Sequence, residues 1–343
     1  MADSYDAVLL VSFGGPDGPD DVLPFLENVL RGRNVPRERM LEVAEHYNHF
    51  GGKSPINEQN LALLAALREE LDRRGPHIPV YWGNRNWHPL LTDTIREMAD
   101  AGVKRAIAFV TSAYSSYSGC RQYRENIAAA CAALGERAPQ IDKIRVFFNH
   151  PGFVGPMADN VRRAVGRFPE SVRGTVPVLF TAHSIPTSMA DGCRYGAQLA
   201  EACRLVAEQA GVTDWKLVYQ SRSGPPTQPW LEPDICDAIR ERHARGCSRL
   251  VIAPIGFISD HMEVLYDLDT EAADLCRELG VEMERAATVG TDPVFIGMIR
   301  DLIAERSGML NDRVAIGQLP ANHDVCPLDC CPAPAGRPVG RPA

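Results

Sequence analysis

Two hydrophobic patterns alternate along the chain. Short, near-continuous apolar runs rich in β-branched residues, at 7–13 (AVLLVSF), 79–83, 105–111 and 144–148, predict strands buried on both faces. Between them, residues 20–31, 57–74, 89–101 and 122–134 have helical composition, while 31–39 is basic and proline-punctuated and 46–56 (HYNHFGGKSPI) reads as a loop. The pattern then starts again, with strands predicted at 177–182, 215–220, 249–255 and 281–285 and helices at 195–210, 234–245, 261–279 and 293–306. Each half offers four strands with intervening helices. The predicted fold class is therefore α/β, as two similar doubly wound domains. Each is a four-stranded, mainly parallel sheet flanked by helices, and the ligand site lies in the cleft between them. The expected divisions are residues 1–170, residues 171–308 with the final helix, and an irregular tail, 309–343, rich in Cys and Pro.

Composition narrows the function class. The chain has 343 residues, enough for two domains, with 45% hydrophobic and 23% charged residues and a net charge of −8. The negative balance argues against nucleic acid as a partner. No apolar run reaches the ~18 residues of a membrane span, so no integral membrane contact is expected. The opening MADSYDAVLL lacks the basic region of a signal peptide, and a cytoplasmic protein is expected.

One stretch concentrates polar chemistry after a buried strand. Residues 250–272 read LVIAPIGFISDHMEVLYDLDTEA, placing Glu263, Asp267 and Glu271 at i, i+4 and i+8. On a helix that spacing stacks three carboxylates along one face at roughly 6 Å per step, and like charges so placed destabilise it. The row suits a path for a divalent cation; the alternative is a solvated acidic face. Ligands of open α/β sheets bind beyond the carboxyl ends of the strands. Four segments should therefore converge: 12–16, 111–123 (TSAYSSYSGCRQY), 183–186 and 256–263. In them His183 offers a base or a ligand near neutral pH. Tyr114, Tyr117 and Tyr123 offer a wall for a flat aromatic ligand, or an ordinary loop. Residues 220–231, with Trp230, line the cleft or simply connect two elements.

There are ten cysteines. Cys120, Cys131, Cys193, Cys203, Cys236, Cys247 and Cys276 lie in patterned segments, where a cysteine is ordinarily a small buried apolar residue. Cys326, Cys330 and Cys331 crowd the Pro-rich tail. Three thiolates fall one short of an iron–sulfur cluster, and a zinc knot or a metal-free tail are the alternatives.

Several phrases together resemble the ferrochelatases, enzymes that insert ferrous iron into a porphyrin. They are Thr181-Ala182-His183-Ser184-Ile185-Pro186, Pro254-Ile255-Gly256-Phe257 through Ser259-Asp260-His261, Glu263 and Leu265, Gln220-Ser221 with Pro229-Trp230-Leu231, and Gly51-Gly52 with Ser54-Pro55. The resemblance covers about residues 5–302. The wording SFGGP, GNRNW and QSRSGPP is most similar to actinobacterial-type coproporphyrin III ferrochelatases. It implies a chelatase-like fold and, as substrates, Fe²⁺ and coproporphyrin III, with Fe-coproporphyrin III (coprohaem) made for haem biosynthesis and passed to a downstream coprohaem-accepting enzyme. It implies that His183 and Glu263 are the catalytic iron-site pair, that Ser54 and Tyr123 contact the substrate, and that Asp267 and Glu271 form an outer metal site. It further implies a [2Fe–2S] cluster on three tail cysteines, Cys326, Cys330 and Cys331, and one internal cysteine, for which Cys193 is the match chosen here. The sequence departs at Phe13, where many bacterial relatives have a tyrosine that can ligate product iron. Protoporphyrin IX as substrate, or a non-catalytic haem or metal carrier, are the other readings. Arg31, Arg33, Arg37, Arg39 and Lys53, flanking the presumed mouth, suit the four propionates of coproporphyrin.

Overall fold

In the first strand, β1 (Ala7–Ser12), every residue is buried, because the two faces of the strand feed different cores. Val8 and Leu10 face one apolar cluster and Leu9 and Val11 another. The computed structural model describes residues 5–32, 35–225 and 227–333, so the expectations placed on Arg33 and on the last ten residues lie outside the described residues.

The first half continues through α1 (Pro19–Leu30), α2 (Arg37–His49), α3 (Ile56–Arg74), β2 (Val80–Asn84), α4 (Leu91–Asp100), β3 (Arg105–Val110), a π-helical turn (Tyr117–Arg121), α5 (Gln122–Leu134), β4 (Gln140–Lys143) and α6 (Pro151–Val165). The second half runs β5 (Val178–His183), α7 (Thr187–Asp191), α8 (Tyr195–Ala210), β6 (Trp215–Gln220), α9 (Ile235–Ala244), β7 (Arg249–Ala253), α10 (Met262–Val264), a second π-helical stretch (Leu265–Ala272), α11 (Ala273–Leu279), β8 (Glu282–Arg285) and α12 (Pro293–Arg306).

Both sheets are fully parallel and have the same strand order, β2-β1-β3-β4 and β6-β5-β7-β8. This is the doubly wound pair expected from the alternating pattern. One apolar cluster joins the halves. Val8, Leu10 and Phe109 of the first sheet and Val178, Phe180 and Val251 of the second meet Phe153, Met157, Leu199, Phe295 and Ile299 of α6, α8 and α12. The outer faces are closed by α4 and α5 on one side and by α9 and α11 on the other. The last helix crosses back: α12 packs against α3 and α6.

Three expectations change. The apolar run 144–148 is buried coil, and the strand is the more polar segment before it, β4; apolarity there marks depth rather than pairing. The predicted loop from residue 46 is helical as far as His49, because α2 extends through it. The single helix expected at 261–279 is an α–π–α succession.

The tail is irregular but fastened by buried polar groups. Arg145, fully buried, pairs with Glu305 at 2.7 Å and donates to the carbonyl of Val314 at 2.8 Å. Asn149 donates to the carbonyl of Leu319 at 2.6 Å, and the Glu201 carboxylate accepts from the Gln318 amide.

Candidate functional site

In each sheet the chain reverses its direction of winding between two central strands, β1 and β3 or β5 and β7. The crevice beyond the carboxyl ends of such a pair is where open α/β sheets receive ligands. His183 is the last residue of β5, and the segment carrying Glu263 follows β7. Close approach of these segments requires Gly256: a Cβ there would stand 2.7 Å from the Cα of Ala182.

The loop after His183 is tied on both sides. Ser184 Oγ donates to the carbonyl of Leu231 at 2.8 Å, Leu231 N donates to Ile185 at 3.0 Å, and Thr187 N donates to Pro229 at 3.0 Å. Trp230 pairs with Pro186 in an isolated bridge, so the 220–231 loop braces His183. On the other side, Arg285 holds Asp260 at 2.9 Å and Asp269 at 2.6 Å, fixing the acidic stretch to the end of β8.

His183 Nε2 lies 3.5 Å from Glu263 Oε2, with the two side chains 33% and 49% exposed. His183 Nδ1 meets the carbonyl of Ser184, which leaves Nε2 to face Glu263. Burial lowers the His183 pKa, but the Glu263 carboxylate and the Ser184 carbonyl overcome it and raise the value to about 9. Burial raises that of Glu263, and the His183 charge overcomes it, giving about 2. The crevice therefore holds an imidazolium–carboxylate pair at neutral pH. His261, 3.9 Å from the same carboxylate through Nδ1, is pushed downward by burial.

The three acids do follow one another, but Glu263 lies in α10 and the other two on the π-helical stretch after it. Asp267 and Glu271 both lie within Leu265–Ala272, a rare geometry that recurs at functional sites. Asp267 Oδ2 accepts from Gln220 Nε2 at 3.2 Å and from the Ser221 hydroxyl. Ser221 has a φ of 61°, a left-handed conformation that a non-glycine residue holds only when its surroundings impose it. Burial raises the Asp267 pKa to about 7; the Ser221 hydrogen bond opposes this and the charges of Glu263 and Glu271 add to it. Burial also raises Glu271, reinforced by Asp234.

The first half covers this crevice with residues the sequence reading did not select. His46 of α2 stacks on Tyr266 with ring centroids 3.7 Å apart, and Gln59 accepts from the amide of Asp260 at 2.8 Å. Tyr47 is pushed upward by burial and by the Glu263 charge, which places its phenol near that carboxylate. Tyr47, Phe13 and Trp87 all pack edge-on to Phe25. Helix α2 was legible only as a basic, polar segment, and nothing in it marked His46 or Tyr47.

The other residues singled out in the sequence for the cleft lie in the first half. Tyr114 and Tyr117 are core residues and do not form a cleft wall: Tyr114 donates to the carbonyl of Ile255 at 2.9 Å across the two halves, and Tyr117 to Glu125 at 3.0 Å. Tyr123 is buried with the Arg85 guanidinium 4.5 Å from its ring centre, and Arg85 also lies 5.6 Å from that of Phe13. Ser54 is buried, its amide bonded to the carbonyl of Pro16 at 2.9 Å. Arg39 and Lys53 are paired with Glu42 and Glu58, at 2.7 and 3.4 Å.

A second constellation forms at the tail. The ligand atoms of His323, Cys326 and Cys330 lie within 4.8 Å of one another, and no other such trio of His, Cys, Asp or Glu occurs among the described residues. Cys331 Sγ is 3.7 Å from Cys330 Sγ. Cys120, in the first π-helical turn, hydrogen-bonds Cys326, which holds its thiol well below the usual range against the effect of burial. Cys193 is close enough to feel Cys330 and Cys120, but its thiol is engaged with the carbonyls of Met189 at 3.2 Å and Ala190 at 3.5 Å. Cys120 is buried, as the sequence leads one to expect, yet it also meets a tail thiol.

Comparison with known proteins gives this geometry a family. The ferrochelatase family model matches residues 5–307. A ferrochelatase of Rhodopirellula baltica is 61% identical, covering 98% of this chain and 97% of its own length. A coproporphyrin III ferrochelatase of Streptomyces coelicolor is 56% identical, covering 98% and 96%. Among solved structures, SirB from Bacillus subtilis with Fe³⁺ superposes with a TM-score of 0.56 at 11% identity, over 89% of this chain and 98% of that one, a likeness of fold.

Proposed function

The chain belongs to the ferrochelatase family, and on that premise we propose that it inserts Fe²⁺ into coproporphyrin III, giving Fe-coproporphyrin III for haem biosynthesis. The observation that carries the chemistry is the His183–Glu263 pair at the β5/β7 crevice. The name of the Streptomyces relative supplies the porphyrin.

Insertion exchanges two pyrrole protons for one Fe²⁺. In the resting pair His183 already carries a proton, held there by Glu263. Fe²⁺ arriving on the Glu263 carboxylate removes that hold, His183 releases its proton to solvent, and Nε2 becomes a base for the pyrrole N–H groups. Asp267 and Glu271 supply oxygen ligands one and two steps further along the π-helical stretch. Such ligands replace water on Fe²⁺ without the grip of thiolates. We assign Ser54, Tyr123 and the aromatic residues packed around Phe25 to the porphyrin's side of the crevice, a reading supported by Arg85, which lies against both Tyr123 and Phe13. Phe13 offers no atom to the product iron, which favours release. No helix among the described residues is long and apolar enough to cross a membrane; we place the enzyme in the cytoplasm, handing its product to an enzyme that accepts Fe-coproporphyrin.

The tail donors fit an iron–sulfur cluster. Cys326, Cys330 and Cys331 with Cys120 as the internal thiol make four sulfurs, and the contact of Cys120 with Cys326 favours it over Cys193. A [2Fe–2S] cluster bound there would supply a covalent clip between the tail and the first half.

Single-turnover mixing of the protein with Fe²⁺ and either porphyrin tests the activity. Coproporphyrin III should be metallated with a much higher kcat/KM than protoporphyrin IX. Equal values would remove the substrate assignment, and no metallation of either would remove the activity.

A further inference from the structure

His323 is the one donor at the tail that a four-thiol cluster leaves unused. It is exposed, yet its Nε2 stands 3.6 Å from Cys330 Sγ, inside the trio whose ligand atoms all lie within 4.8 Å of one another. Four-coordinate zinc places sulfur at about 2.3 Å and imidazole nitrogen at about 2.0–2.1 Å, so the edges of its tetrahedron measure roughly 3.5–3.8 Å. The His323–Cys330 separation already has that length before any ion is bound.

We propose that the tail, when it carries no cluster, is a single-ion site for Zn²⁺ formed by His323, Cys326 and Cys330 and closed by Cys120. Cys120 is the thiol in hydrogen-bond contact with Cys326, and it comes from a different part of the chain, so the ion ties the tail to the π-helical turn before α5. Three sulfurs and one imidazole suit a borderline-soft ion with no geometric demand of its own, and exclude Mg²⁺ and Ca²⁺, which need oxygen ligands. Binding releases to solvent the protons that these thiols still hold. The three thiolates and the ion sum to one negative charge, offset by Arg121 and Arg124. Those guanidiniums already sit on the carbonyls of Cys330 and Cys326, at 3.2 and 3.3 Å. The exposure of His323 gives the ion a way in. Cluster and ion thus share three thiols and differ in the remaining ligand: Cys331 for the cluster, His323 for the ion.

The test uses the full chain, purified anaerobically, stripped with chelator and titrated with Co²⁺ as a spectroscopic stand-in for zinc. Thiolate-to-cobalt absorption reports the tail alone, since the His183–Glu263 pair has no sulfur. One Co²⁺ per chain should develop this absorption with the visible bands of tetrahedral coordination, and Zn²⁺ should displace it. His323→Ala, an exposed change that leaves the fold intact, should weaken binding more than about tenfold and alter the visible bands. Cys331→Ser should do neither. Unchanged spectrum and affinity in His323→Ala, absence of thiolate absorption in the wild type, or loss of binding in Cys331→Ser would each overturn the proposal. The cluster reading is tested separately, by iron and sulfide content of unstripped protein.

Discussion

Nε2 of His183 and Oε2 of Glu263 stand 3.5 Å apart on segments that follow β5 and β7. The two strands are neighbours in the sheet but separated in the chain by β6 and three helices, so the pair exists only because the second sheet is wound in the order β6-β5-β7-β8. Each member sets the other's charge. His183→Ala and Glu263→Gln should each lower iron insertion by about 10²–10⁴-fold, the range of a positioned acid–base group. Both side chains are partly exposed, so melting temperatures should hardly change. Wild-type single-turnover rates in either variant would remove the pair from the mechanism.

Asp267 should make iron uptake depend on pH. Burial, with the charges of Glu263 and Glu271, brings its pKa to about 7. Only the ionised form is a ligand for Fe²⁺, so the KM for Fe²⁺ should rise as the pH falls through 7, while saturating kcat changes less. Asp267→Asn should have a raised KM and lack this pH dependence. The same slope in the variant would assign it to another group.

The fold was legible because its strands are short β-branched runs at regular spacing and its helices mostly amphipathic. Helix α6 escaped notice since PGFVGPMADNVRRAV opens on proline and contains Gly152, Gly155 and Pro156, all of which read as breaks. It forms nonetheless because it is buried on most sides, between α8 and α12, and tertiary packing overrides propensity. Of the site, His183, Glu263 and Asp267 were legible as polar residues after buried strands. His46 and Tyr47 were not, because what brings them to Glu263 and Tyr266 is how α2 lies across the crevice. Cys120 was not, because a single cysteine in a serine-rich loop looks like any buried cysteine until the tail is placed against it.

His150 gives the fold a sensitivity to acid. Its Nδ1 caps α6 by accepting from the Gly152 amide at 3.0 Å, a role open only to a ring without a proton on that nitrogen. Burial, reinforced by Arg145, lowers its pKa from 6.5 to about 4. Between these values the unfolded chain binds a proton that the folded one refuses, so this stability is complete above pH 6.5 and is lost as pH falls towards 4. The loss amounts to at most about 3 kcal/mol, at 1.36 kcal/mol per pKa unit. His150→Asn keeps a capping side chain and has nothing to titrate. Denaturant unfolding of both proteins at pH 7 and pH 4.5 should show a smaller acid loss in the variant; equal losses would show that His150 is not the sensitive group.

The tail sets Cys120 against Cys193. Both are near the tail thiols, but Cys120 hydrogen-bonds Cys326 while Cys193 is committed to the carbonyls at the end of α7. Cys120→Ser should therefore lose the iron, sulfide and visible colour of anaerobically purified protein, and Cys193→Ser should keep them. The effect on stability should be small. A cross-link closing the loop of roughly 200 residues between Cys120 and Cys326 is worth on the order of 5 kcal/mol when nothing else closes it. Here the hydrogen bonds of Arg145 to Val314 and Asn149 to Leu319 already fasten the tail, as does the contact of Glu201 with Gln318. The melting temperature of Cys120→Ser should accordingly fall by no more than about 2 °C, equivalent to roughly 1 kcal/mol for a chain of this size. A fall several times larger would mean that the metal centre, and not these polar contacts, holds the tail. Loss of colour in Cys193→Ser with retention in Cys120→Ser would make Cys193 the fourth ligand.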